Sequence, residues 1–142
     1  MNVSARNVFK GKITALTDGV VNAEVELTLP GGDRIVAIVT ETSVKSLGLA
    51  VGGEAVAYVK APWVMLLSGQ PDVHFSARNQ LSGKVSALTK GAVNTEVAIT
   101  LAGGSVVHSV VTNEAVLELG LKLSEPATAL IKASHVILGV PA

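Results

Sequence analysis

From Phe9 to Leu16 and again from Val20 to Leu29 apolar and polar side chains alternate, the period of half-buried strands, and Thr17-Asp18-Gly19 supplies a turn between them. Pro30-Gly31-Gly32-Asp33 marks a second turn, after which Arg34 to Val39 predicts a third strand. Thr40 or Thr42 suits the N-cap of a short helix that ends near Gly48, where a left-handed residue is wanted. Glu54 to Ala61 reads as a fourth strand and, beyond Pro62, Trp63 to Leu67 as a short fifth.

The same succession then starts again. Ser4-Ala5-Arg6-Asn7 returns as Ser76-Ala77-Arg78-Asn79, and at this offset of 72 residues 4–68 align with 76–140 without a gap, 30 of 65 pairs being identical. Thr112 and Gly120 fall where Thr40 and Gly48 stand, so the second copy predicts the same helix. The chain therefore divides into one unit over residues 1–68, a connector over 69–75 and a second unit over 76–142. The Gly69-Gln70-Pro71-Asp72 start of the connector reads as a turn, too short a link to let the units drift apart. Five short strands and one small helix per unit predict a mainly β fold, two tandem OB-like Greek-key barrels. Each barrel alone is marginal in size, and its Val-rich edges invite pairing, so packing of the units and oligomerisation are expected.

Composition agrees with this reading. The 142 residues include 23 Val, 6 Ile and 10 Thr, β-branched side chains that favour strands, whereas aromatics are only 3%. Eleven basic residues balance eleven acidic ones, six of each in residues 1–70 and five of each thereafter. This balance removes the long-range field of a general nucleic-acid or membrane-surface binder. Scarce aromatics argue against single-stranded nucleic acid stacked on a barrel face. With no cysteine there are no disulfides, thiolate metal sites or cysteine nucleophiles. No secretory leader or bilayer-spanning stretch is evident, and a soluble, cytoplasmic protein is expected.

Catalysis finds no support in the sequence. His74 lies in the connector, His108 replaces Val36 and His135 replaces Trp63, so no histidine recurs between the units. Glu24 and Glu96 do recur, but with no recurring histidine or second acid close by they read as solvated strand positions. Gly31-Gly32 and Gly103-Gly104 are hairpin glycines without the Lys-Ser/Thr end of a phosphate loop.

What recurs is a set of donors for an anion. Ser4/Ser76 and Asn7/Asn79 offer short polar side chains, Arg6/Arg78 a guanidinium and Lys60/Lys132 an ammonium, while Gly19/Gly91 and Asn22/Asn94 bracket loops of backbone amides. Neither the Ser-Ala-Arg-Asn block nor Lys60-Ala61-Pro62 and Lys132-Ala133-Ser134 contains an acid that would repel a fully ionised oxyanion. Taken singly, a turn and an edge-blunting lysine explain these residues better than a ligand does; their joint retention in both units is what points to a ligand.

These blocks, together with Gly-x-Val-Asn-x-Glu-Val at Gly19 to Val25 (Gly91 to Val97 in the second copy, with Ala92 for Val20), resemble the Mop domain of molybdenum-pterin-binding proteins. Two such units in tandem resemble the dimop molbindins, cytoplasmic molybdate-binding proteins of the ModG type. The resemblance implies OB-like barrels, homotrimers, and molybdate, or tungstate in its place, bound between subunits for storage and homeostasis. An oxyanion-sensing module that reports occupancy to a partner protein is the alternative. The implied interface site comprises Ser4, Ala5, Arg6, Asn7, Lys60, Ala61 and Pro62, with Ser76, Ala77, Arg78, Asn79, Lys132, Ala133 and Ser134 in the second unit. An axial site would gather the amides of Gly19, Val20, Val21 and Asn22, or of Gly91, Ala92, Val93 and Asn94, in threes about a rotation axis, with no metal held directly by side chains.

Overall fold

A computed structural model describes residues 2–69 and 72–142, so Gln70 and Pro71 of the expected connector lie outside the described residues. The first repeat contributes β1 (Asn7–Asp18), β2 (Asn22–Thr28), β3 (Arg34–Thr40), α1 (Glu41–Leu47), β4 (Glu54–Val59) and β5 (Met65–Ser68). The second contributes β6 (Asn79–Lys90), β7 (Asn94–Leu101), β8 (Val106–Thr112), α2 (Asn113–Leu119), β9 (Pro126–Ile131) and β10 (Ile137–Gly139). The chain adopts the mainly β, two-unit OB-like architecture expected from its sequence, each unit a curled five-stranded half-barrel with one short helix.

Local chemistry explains the elements. The Thr40 hydroxyl accepts from the Ser43 N–H at 3.1 Å, and Gly48 closes α1 at φ 65°. Thr112 and Gly120 do the same for α2. The register of β1 on β2 shifts between Ile13 and Ala15, and that of β6 on β7 between Val85 and Ala87. This bulge at equivalent places bends each long strand and curls its sheet. Ile13, Val25, Leu27 and Ile35 from one sheet and Val85, Val97, Ile99 and Val107 from the other are fully buried in one continuous aliphatic core. Strand β1 runs on to Asp18, so the hairpin tip begins at Gly19. Strand β4 stops at Val59, because Ala61–Trp63, with Pro62 near its start, forms a 3-10 turn. Ala133–His135 turns likewise after β9.

Those turns redirect the chain, and the fifth strand of each sheet comes from the other repeat. The sheet orders are β10-β4-β1-β2-β3 and β5-β9-β6-β7-β8. Ile137 pairs with Tyr58 and Met65 with Leu130, so each repeat covers the edge that its partner's β4 or β9 would leave open. The opposite edges, β3 and β8, are covered by side chains. His108 N–H donates to Asn7 Oδ1 at 2.7 Å and its carbonyl accepts from Asn7 Nδ2 at 2.8 Å. Asn79 binds Val36 in the same two ways at 2.7 and 2.8 Å. Each amide thus acts as a one-residue strand against the other repeat's edge. At the hairpin tips Gly31, at φ 93°, lies against the Gly103 carbonyl, where a side chain would clash. The Asp33 carboxylate accepts from the N–H groups of Gly103 and Ser105 at 3.0 and 3.3 Å.

Candidate anion-binding site

Antiparallel pairing of β1 with β4 sets Asn7 opposite Val59, which brings Ser4–Arg6, just before β1, to the same corner as Lys60, just after β4. Pairing of Asn79 with Ile131 does the same for Ser76–Arg78 and Lys132. The two segments that lie at opposite ends of each unit's sequence therefore converge, once per repeat. Ser4 and both lysines are exposed, Ala5 and Ala77 half-buried, and Pro62 and Ser134 exposed. Ala61 and Ala133 are buried, their small side chains letting the 3-10 turns pack on β8 and β3 of the other repeat. Ser4, Ala5 and Lys60 line a groove of about 1220 Å³ whose floor includes Tyr58, Trp63 and His135. Lys60 Nζ lies 5.8 Å from the Trp63 ring centre, and Trp63 packs on its counterpart His135 at 4.9 Å.

The arginines face across the repeats. Arg6 donates through Nε, at 3.1 Å, and through Nη2 to Glu96 Oε1. Arg78 Nη1 pairs with Glu24 Oε1. Glu24 and Glu96, expected as solvated positions, are instead half-buried members of cross-repeat ion pairs. Their recurrence at the offset of the arginines was the signal that could have matched them. His108 Nδ1 also lies 3.2 Å from Glu96 Oε1, at a position where the other corner has Val36. Asn7 and Asn79 are buried, their amides committed to the partner edges, so each holds its block in place from behind.

The amide loops are elsewhere. Gly19–Asn22 and Gly91–Asn94 form exposed hairpin tips at the far ends of β1 and β6, roughly 35 Å along the strand from the corners. Val20 is 97% exposed, and the carbonyls of Val21 and Val93 accept from Glu41 and Asn113 at 2.9 Å, which turns those peptides inward. The tips differ in charge. Burial first, then the hydrogen bond and charge of Asp18, raises the Glu41 carboxyl above its ordinary 4.5, with Lys45 opposing. The second tip has Lys90 and Asn113 at these places. Among the described residues no group of His, Cys, Asp or Glu is placed to hold a metal ion. The hydroxyl, guanidinium and ammonium at each corner are donors of the kind an anion takes.

Comparison with known proteins places these corners in context. The TOBE domain matches residues 3–66 and 76–138. A solved structure of the cytoplasmic molybdate-binding protein ModG, in a form with molybdate bound, is 56% identical, with a TM-score of 0.94 over 99% of this chain and 100% of its own. Molybdenum-pterin-binding protein MopA of Rhodobacter capsulatus is 45% identical over 141 residues, 99% of this chain and 53% of its own length. Molybdenum-pterin-binding protein 2 of Clostridium pasteurianum is 47% identical over 68 residues, 48% of this chain and all of its own. The chain spans about half the length of the first curated relatives it matches.

Proposed function

The chain belongs to the TOBE family, and from that premise we propose that it binds molybdate, and tungstate in its place, as an intracellular store that buffers and releases the oxyanion. The observation that carries this reading is the convergence, in each repeat, of Ser4–Arg6 with Lys60 or of Ser76–Arg78 with Lys132, in a chain similar throughout to ModG. Lys60 and Lys132 supply charge, Ser4 and Ser76 a hydroxyl, and the arginines a guanidinium braced by the opposing glutamate. Asn7 and Asn79 fix the segment on which these groups stand, and the amides of Ala5, Ala61, Ala77 and Ala133, with Pro62 and Ser134 at the rim, shape the shell. The protein binds its ligand without transforming it.

Each corner is open on one side, and neighbouring copies complete it. Along the groove Ile137, Val3 and Trp63 are 61%, 46% and 44% exposed, an apolar face that a homotrimer would cover. In that trimer the tips Gly19–Asn22 and Gly91–Asn94 gather on the axis as a second class of site. With each glutamate committed to its arginine, the groups left to the ligand are donors, and such a site prefers molybdate, a dianion with no proton, over phosphate, whose proton is left without an acceptor. Sulfate is smaller, and each donor it fails to reach costs about 1 kcal/mol or more. Calorimetric titration with molybdate, tungstate, sulfate and phosphate tests this, together with light scattering. Molybdate and tungstate are expected to bind a trimer and the other two anions poorly. Absence of molybdate binding, or displacement of molybdate by sulfate at equal concentration, refutes the reading.

A further inference from the structure

The two hairpin tips follow one plan, but the residues behind them differ. At the second tip Gly91 N–H donates to the Asn94 carbonyl at 2.7 Å, and the Asn113 side chain donates to the Gly91 carbonyl at 3.0 Å. The buried Thr95 hydroxyl in turn donates to Asn113 Oδ1 at 2.6 Å, which fixes that amide in place. Behind the first tip Ala23 stands for Thr95, Glu41 for Asn113 and Asp18 for Lys90, so neither the brace nor the lysine exists there. Glu41 meets this tip through its backbone, N–H to the Val21 carbonyl at 2.9 Å, and its buried Oε2 has no hydrogen-bond partner among the described residues. We propose that the tips are unequal: Gly91–Asn94, backed by Lys90 and Asn113, takes an oxyanion on the rotation axis, and Gly19–Asn22, backed by Asp18 and Glu41, excludes one. This rests on the reading of the chain as a molybdate-binding trimer and narrows its second class of site.

Acceptors and charge both set the difference. A molybdate dianion offers acceptor oxygens and no proton, so a carboxylate oxygen that lacks a donor gains nothing from it. At the second tip Asn113 occupies two carbonyls, that of Val93 through its N–H and that of Gly91 through Nδ2, and so withdraws two acceptors from the space an anion would enter. Glu41 occupies the Val21 carbonyl in the same way, but its carboxylate cannot donate to Gly19. Burial, and after it the neighbouring Asp18, push the Glu41 carboxyl above its ordinary range with Lys45 opposing, so negative charge is already crowded here. Asp18, Glu41 and Lys45 sum to −1 with Thr42 neutral, whereas Lys90 and Glu114 sum to zero with Asn113 and Leu117 neutral. Glu24 and Glu96, next along β2 and β7, are each paired with an arginine and do not enter the difference. Three copies about an axis turn one charge into three. In low salt, where fields reach about 30 Å, that difference is worth about tenfold or more in affinity for a dianion.

The test is equilibrium dialysis of the full chain against molybdate in low salt, with bound molybdenum counted by mass spectrometry and tungstate located in crystals by its anomalous scattering. The wild-type trimer is expected to hold six corner anions and one axial anion, with tungstate at the Gly91–Asn94 tip and none at Gly19–Asn22. Asp18→Asn with Glu41→Gln, which removes charge and keeps shape, lets the first tip fill. Lys90→Asp with Asn113→Glu empties the second and leaves the corners as they were. Circular dichroism checks that both variants are folded. Equal occupancy of the two tips in the wild type overturns the proposal. So does a first tip that stays empty in Asp18→Asn/Glu41→Gln, or a second that stays filled in Lys90→Asp/Asn113→Glu. An empty second tip beside filled corners overturns it too, and spares the reading of the corners. A monomer in light scattering removes the axis and this inference with it, whereas absence of anion at every site overturns the functional reading itself.

Discussion

Replacement of Asn7 by alanine removes the cap on the second sheet's edge. Asn7 is 1% exposed and makes two hydrogen bonds of 2.7 and 2.8 Å to the backbone of His108. Truncation leaves the His108 N–H and C=O without partners at a part-buried strand edge. Each unpaired group costs about 1 to 3 kcal/mol, so Asn7→Ala is expected to destabilise by roughly 2 to 6 kcal/mol. At about 3 °C per kcal/mol for a chain of this size, the melting temperature falls by roughly 6 to 18 °C. Urea denaturation monitored by circular dichroism, with scanning calorimetry beside it, measures the change. Ser4→Ala, an exposed change in the same block, is the control and should stay within about 0.5 kcal/mol of wild type. Asn79→Ala, with the same two bonds to Val36, should match Asn7→Ala. If Asn7→Ala is no less stable than Ser4→Ala, the amide is not a structural cap.

Lys60→Ala should weaken the sites that contain it by about 1.5 to 3 kcal/mol, the worth of a charge-assisted hydrogen bond, without changing the oligomer; a titration indistinguishable from wild type shows that the lysine only guards a strand end. Gly31→Ala should cost roughly 2 to 4 kcal/mol, because a positive φ and the Gly103 carbonyl both oppose a side chain, whereas Gly32→Ala meets no atom and should cost only its backbone strain, about 1 to 2 kcal/mol; urea midpoints rank the two. Because its carboxyl is raised in the fold, Glu41 destabilises the protein above the ordinary carboxylate range, and that penalty disappears as pH falls and the group takes up a proton. Glu41→Gln should accordingly raise the melting temperature at pH 7 and lose its advantage near pH 4, and a gain that persists at low pH disproves the assignment. Residues 1–68 expressed alone lack β10 and should pair through β4 into dimers in light scattering, not remain as a folded monomer.

Strands, turns and both helix caps were legible because each is dictated locally: alternation gives a strand, Thr40 and Gly48 close a helix, and Pro30-Gly31-Gly32 turns the chain. The exchange of β5 and β10 was not, since a short apolar strand has the same pattern whether it returns to its own sheet or crosses to another. Recurrence marked the Ser-Ala-Arg-Asn and Lys-Ala blocks as candidates for a ligand, and the register of Asn7 on Val59 sets Ser4–Arg6 and Lys60 of one repeat at the same corner. Recurrence alone, however, could not separate residues kept for a ligand from residues kept for the joint between repeats. Asn7 and Glu96 look alike in that respect, and only in the fold does the first grip a strand edge and the second an arginine. His108 broke the repeat and so attracted no role, although it is one of the departures, with Trp63 against His135 and Pro62 against Ser134, that make one corner unlike the other.

The crossed strands also set an order of events during synthesis. Tyr58 of β4 finds its outer partner in Ile137, 79 residues further along, so the first sheet stays incomplete while those residues are made. At ordinary rates of translation that interval lasts roughly 4 to 16 s. Throughout it the nascent chain presents the bare flank of β4 to every other copy emerging from the same message, and β5 has nowhere of its own to dock. The protein's most vulnerable moment is therefore on the ribosome, and a codon change that slows the second repeat should raise aggregation without altering a single residue of the finished fold.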